Sequence, residues 1–224
     1  MGRARRIEGA VATLIVVAIM ALAGVLWVWV AEASAADHFP GAGKMVNIPH
    51  DATRYRADLT RAARLAWGLE APLATFAAQI HQESAWREDV RSRVGAHGLA
   101  QFMPATTRWI AGVYPRELGA ADSGNPVWAL RALTRYDRWI WERVAPASSR
   151  QAGGDAGATC ARMAATLRGY NGGLGWVLKE ARTGQPCEAF RSPANCRENL
   201  DYPRRILGRI EPAYIRAGWG NGSC

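Results

Sequence analysis

Lysine is almost missing from this chain. Lys44 and Lys179 are the only two, so arginine supplies nearly all of a formal net charge of +9. Such a basic protein is drawn to polyanions. No helix-turn-helix, zinc-finger or RNP pattern is present, however, so nucleic acid is not an expected partner. Cysteine is scarce as well, limited to Cys160, Cys187, Cys196 and Cys224. No CxxC occurs and no histidine stands near them at ligand spacing, which argues against zinc. Neither a metal nor a cofactor is expected. Sustained alternation of β-branched residues is lacking, which excludes a large sheet, and no internal repeat excludes a solenoid. From Val90 to Arg116 there is no Asp or Glu at all.

What the chain does contain begins with a long uncharged run. Arg3, Arg5 and Arg6 precede Ala10 to Ala31. As a helix this run would be roughly 33 Å long, close to the ~30 Å hydrocarbon core of a bilayer. Arginines on its N-terminal side keep that end cytoplasmic and send the remainder outward. A retained span is the preferred reading, with cleavage at "ASAA" (Ala33 to Ala36) as the alternative. Repeated alanines and Gly24 dilute the run, which also suits a signal-arrest-release segment that later leaves the membrane. The expected organisation is a signal-anchor segment over 1–35, a Gly/Pro-rich linker over 36–50 and one domain over 51–224.

An exported domain meets oxidising conditions, where two disulfides are expected. Four cysteines allow three connectivities. The preferred one joins Cys187 to Cys196, closing a short loop, and Cys160 to Cys224, pinning the C-terminus. Four free buried thiols are the alternative.

The domain reads as mainly helical. Tyr55, Leu59, Ala62, Ala63 and Ala66 form one stripe after Asp51. A second helix is expected from Pro72, a third over Ala105 to Val113, and a fourth capped by Asn125 with Pro126 at its first position, running to about Val144. That fourth helix carries one discordant charge, Asp137, on its apolar side. A flexible loop is expected over Ser148 to Gly157, then helices over Ala158 to Gly169, Leu174 to Arg182 and Arg197 to Ile210. At most a short hairpin is expected near Arg93 to Gly98.

On the second helix, Phe76, Ile80 and Glu83 share one face, so Glu83 extends an apolar stripe. A desolvated carboxyl holds its proton to higher pH and can serve as a general acid. The competing reading is a glutamate that simply emerges from the core at a helix end. Neutral hydrogen-bonding groups follow downstream: Gln101 in "GLAQFMP", Tyr170 and Asn171 in "RGYNGG", and Tyr202 in "ENLDYPRRI". Such groups suit a sugar polymer and can orient a carboxyl without ionising.

Glu83-Ser84, Gly98-Leu99-Ala100-Gln101 continued by Phe102-Met103-Pro104, Gly169-Tyr170-Asn171-Gly172-Gly173 and Tyr202 resemble, in order, the four motifs of the soluble-lytic-transglycosylase (SLT, family 1) lytic transglycosylases. The resemblance covers Ala71 to Ile210. Ala100 stands where the family usually has Met, and Gly169 and Gly172 where it has alanines. It implies a lysozyme-like α+β fold and peptidoglycan glycan strands as substrate, cut between N-acetylmuramic acid and N-acetylglucosamine without water to leave 1,6-anhydro ends. By the same resemblance Glu83 is the acid and base, Ser84 and Gln101 hold substrate, Tyr170 and Tyr202 hydrogen-bond around Glu83, and Asn171 meets sugar. The gap in acidic residues from Val90 to Arg116 fits a one-carboxylate reaction better than hydrolysis, which needs a second carboxylate across the cleft.

The diluted N-terminal run and small basic domain resemble phage endolysins. They would place a monomer in the periplasm, tethered to the inner membrane or released from it. A bacterial wall-opening enzyme of a secretion or conjugation system, a hydrolytic muramidase on the same fold, and an inactive wall-binding domain are the alternatives.

Overall fold

A computed structural model describes residues 46–144 and 155–224. The expected N-terminal span and most of the loop expected at 148–157 lie outside the described residues.

Among the described residues the architecture is helical: α1 (Ala52–Trp67), α2 (Leu73–Ser84), α3 (Pro104–Val113), the single turn α4 (Pro115–Leu118), α5 (Pro126–Trp141), α6 (Asp155–Gly172), α7 (Leu174–Thr183), α8 (Pro193–Arg205) and α9 (Glu211–Arg216). A 3₁₀ turn, Cys187–Ala189, precedes α8, and a π-helical segment, Ile206–Ile210, joins α8 to α9. The expected hairpin is reduced to two isolated bridges, Arg91 with His97 and His97 with Phe102, so there is no strand among the described residues. No helix among them is long and apolar enough to cross a membrane.

α1 buries Tyr55, Leu59, Ala62 and Ala63 as one stripe and lies along α5. The Asn125 side chain accepts the N–H of Trp128 at 3.1 Å, which caps α5. α8 starts earlier than Arg197, because Ser192 caps it through the N–H of Asn195 and Pro193 occupies its first position.

α2 is the axis of the domain. Ala74 to Ile80 are buried without interruption, so this helix is enclosed on every side. A helix in that position must also house its polar residues. Thr75, Gln79 and Glu83 recur every four residues along it. Thr75 donates to the buried carboxylate of Glu211 at 2.6 Å. The same carboxylate accepts the N–H groups of Ser223 and Cys224, both at 3.1 Å. The C-terminus is thereby folded back over α2, and Ala74 N–H donates to the Asn221 carbonyl at 2.9 Å. Disulfides join Cys160 to Cys224 and Cys187 to Cys196. The first ties this C-terminal strap to α6, and each bond typically contributes about 2–4 kcal/mol.

Candidate active site

Glu83 sits in the last turn of α2, where the enclosed helix meets the surface. Immediately after it Ala85 (φ 50°) and Trp86 (φ 65°) adopt the left-handed conformation. Two such non-glycine residues in succession cost energy and need support. Trp86 supplies it: its ring is buried and its indole N–H donates to the Tyr214 hydroxyl at 2.6 Å. The helix therefore stops at a fixed point, and Glu83 stands at its open end.

The Glu83 side chain is part-exposed, yet its carboxyl is densely surrounded by protein. Burial raises its pKa from 4.5 to about 7. A hydrogen bond donated by the Tyr202 hydroxyl opposes that shift, the charge of Glu198 adds to it, and Arg205 subtracts from it. Tyr202 is buried on α8, and its phenol is held well above its ordinary range by burial and by Glu83. It remains a neutral donor to an acid that is half-protonated near neutral pH. Removing the hydroxyl removes the bond that favours the carboxylate. Tyr202→Phe is therefore expected to move the alkaline limb of the pH–rate profile upward by about one unit. Turnover should fall about 10–100-fold, matching the ~1.5–3 kcal/mol of a hydrogen bond to a charged group. A pH series of turnover rates checks both.

The loop that holds Tyr170, whose phenol feels the Glu83 charge, is braced from within. The Gln101 backbone has φ 46°, and its side-chain amide donates to the carbonyls of Val90 (3.0 Å) and Gly98 (2.9 Å). Its nitrogen is thus engaged in shaping the turn, and only its amide oxygen is left to meet a ligand. Tyr170 does not bond Glu83. It donates to the carbonyl of Ala100 at 2.6 Å, fastening α6 to the loop. Ser84 is buried and bonds back to the Ile80 carbonyl at 3.4 Å. Asn171 is exposed at the end of α6, and its side-chain oxygen lies 3.4 Å from the amide of Asn199. The structure thus brings Glu83 and Tyr202 into direct contact, with Tyr170 and Gln101 acting on the loop beside them.

Among the other carboxylates, Glu198 is exposed on α8, adds its charge to that of Glu83 and pairs with Arg205. Glu88 accepts from Tyr55 at 2.6 Å and pairs with Arg54 at 3.0 Å, while Asp89 is exposed. Asp137 is fully buried, behind Glu83. Sequence reasoning marked Asp137 only as discordant and overlooked its contact, Gln79, because a lone amide in an apolar stretch carries no periodic signal. A hollow lined by Ala62, Leu65, Arg116, Glu117, Arg131 and Arg135 contains none of these residues.

Fold and site together define a helical domain in which a carboxyl of raised pKa accepts a hydrogen bond from a neutral phenol. The family model described as the transglycosylase SLT domain matches residues 58–186, more than half of the chain, and the chain belongs to this family. The match takes in Glu83, Gln101 and Tyr170 and stops before Tyr202. Among solved structures the chain is similar to an inactive glutamate-to-glutamine mutant of the lytic transglycosylase Slt from Pseudomonas aeruginosa, with a TM-score of 0.53 and 22% identity. The similarity covers 75% of this chain and 25% of that one, so this chain spans about a quarter of the length of the enzyme it matches. No curated protein matches.

Proposed function

We propose that the protein is a peptidoglycan lytic transglycosylase that cuts the β-1,4 bond between N-acetylmuramic acid and N-acetylglucosamine and leaves a 1,6-anhydro end. The observation that carries this reading is the Glu83–Tyr202 pair: an acid near pKa 7, held by a neutral donor, while the one carboxylate whose charge reaches it, Glu198, is paired with Arg205. Protonated Glu83 gives its proton to the glycosidic oxygen as the bond to C1 breaks. As a carboxylate it then takes the proton of the muramyl C6 hydroxyl, whose oxygen closes on C1. The proton count returns to its start and no water is consumed. Membership of the SLT family supports the substrate class.

The protein acts as a monomer in the periplasm, tethered to the inner membrane or released from it. The N-terminal arginines and the uncharged run 10–31 support this placement. The same diluted run supports host lysis by a phage endolysin over a bacterial wall-opening role.

Mass spectrometry of muropeptides digested by the protein tests the chemistry. Products lighter by one water per cut are expected. Products of full hydrolytic mass would make the protein a muramidase, and intact strands would leave only a wall-binding domain.

A further inference from the structure

Two touching side chains each carry an orphaned atom. Gln79 Oε1 and Asp137 Oδ2 are buried and have no hydrogen-bond partner among the described residues. Both residues are fully buried. Gln79 lies one turn before Glu83 on α2, and Asp137 lies within α5. The other atoms of the pair do meet, with Gln79 Nε2 donating to Asp137 Oδ1 at 3.4 Å.

An ionised aspartate cannot resolve this arrangement, because it only accepts. It would sit in the core with one long hydrogen bond, and the amide oxygen would face an anion. A proton on Oδ2 would turn that oxygen into a donor, and Gln79 Oε1, on the side chain already in contact, is a buried acceptor that lacks a partner; the acid O–H and the amide N–H would then close a two-point ring.

Among the described residues no cation opposes that proton. The titratable groups coupled to Asp137 are Glu83 from α2, Tyr136 from α5, Tyr170 from α6 and Tyr202 from α8. The buried stripe of α1, which packs on α5, holds no charge. Arg135 is engaged by Glu117 and the Leu65 carbonyl, and Arg138 by Glu142 and the Trp67 ring. Burial pushes Asp137 well above the carboxylate range, and the Glu83 charge pushes the same way against the Gln79 bond.

We propose that Asp137 is a protonated positioning residue, whose two-point acid–amide pair with Gln79 fixes the turn of α2 that carries Glu83 without setting a second negative charge behind it. This rests on the reading of Glu83 as acid and base. Glu83 has to pass between acid and carboxylate in every turnover. A fixed anion behind it would hold it protonated and impair its second task. A neutral acid gives the hydrogen bonding of a polar rung without that field.

Infrared spectroscopy of the full-length protein reads the proton directly, through the carbonyl stretch of an undissociated carboxylic acid. A band that does not titrate across the neutral range is expected. It persists in Glu83→Gln, disappears in Asp137→Asn, and shifts in wild-type protein labelled with carbon-13 at the aspartate carboxyls. The pH–rate profile of Asp137→Asn is the second arm, since an amide N–H there replaces the acid O–H. Its Glu83 inflection is expected at the wild-type pH. Absence of an aspartate-labelled band overturns the proposal. So does an inflection moved to lower pH by about one unit or more, the mark of a removed neighbouring charge. The infrared arm needs no turnover, so an inactive wild type would refute the role of Glu83 and leave this result standing.

Discussion

On the proposed mechanism, Glu83→Gln lowers turnover on peptidoglycan by about 10³-fold or more. Glutamine fills the same space and can still accept the Tyr202 hydrogen bond through its amide oxygen, so the site keeps its shape. What it loses is the exchangeable proton, and with it, on that mechanism, both steps: no donor for the leaving oxygen and no base for the C6 hydroxyl. A variant that stays folded, binds wall and does not cut it separates chemistry from binding. Stability should move in the opposite direction. Native Glu83 has a raised pKa, about 7 against 4.5 when unshifted. The stabilisation linked to its bound proton is complete below the unfolded value and is lost as pH rises through about 7. Glutamine has no proton to lose, so the variant should melt higher than wild type at alkaline pH and lose part of the wild type's pH dependence. Wall-clearing assays and thermal unfolding across pH check the two halves.

Gly98→Ala is the second large effect, and it acts through backbone. Gly98 has φ +78°, and a Cβ there would stand 2.1 Å from the carbonyl oxygen of Ser123. The obstacle is main chain, which cannot swing aside as a flexible side chain would. A left-handed alanine alone costs about 1–2 kcal/mol. The overlap adds displacement of a loop that is fastened at many points. Gly98 N–H donates to Val90, its carbonyl accepts from Gln101, and Ala100 accepts from Tyr170. A loss of about 4 kcal/mol or more is expected, at the upper end for single substitutions. Activity should fall even below the melting temperature, because the same loop fastens Tyr170, whose phenol feels the Glu83 charge. Denaturant unfolding, paired with activity measured well below the transition, checks this. Gly95→Ala in the same loop is the control for the left-handed cost alone. Gly95 has φ +89° and nothing within 4 Å of a Cβ.

Much of the domain was legible because each signal was local. Asn125 followed by Pro126 marks a helix start in any context, and Phe76, Ile80 and Glu83 share a face through helix geometry alone. Ser192-Pro193 carried the same kind of start signal, which the reading passed over in placing that helix at Arg197. Other features depend on partners distant in sequence. Periodicity identified one buried face of α2 but could not show that α9, the π-helical segment and the C-terminal strap enclose its other sides. Thr75 and Gln79 therefore gave no sign of their buried acids, Glu211 and Asp137. The choice of Tyr170 between Glu83 and the Ala100 carbonyl depends on a loop backbone that Gln101 bends into the left-handed region. No residue spacing encodes that angle.

The central claim is that one carboxyl gives and then retrieves a proton while the sugar's own hydroxyl does the work of water. Digestion of purified peptidoglycan in water enriched with oxygen-18 tests this most directly. The account predicts newly formed muramyl ends that carry no heavy oxygen and lack one water. Heavy oxygen at C1 of those ends would contradict it.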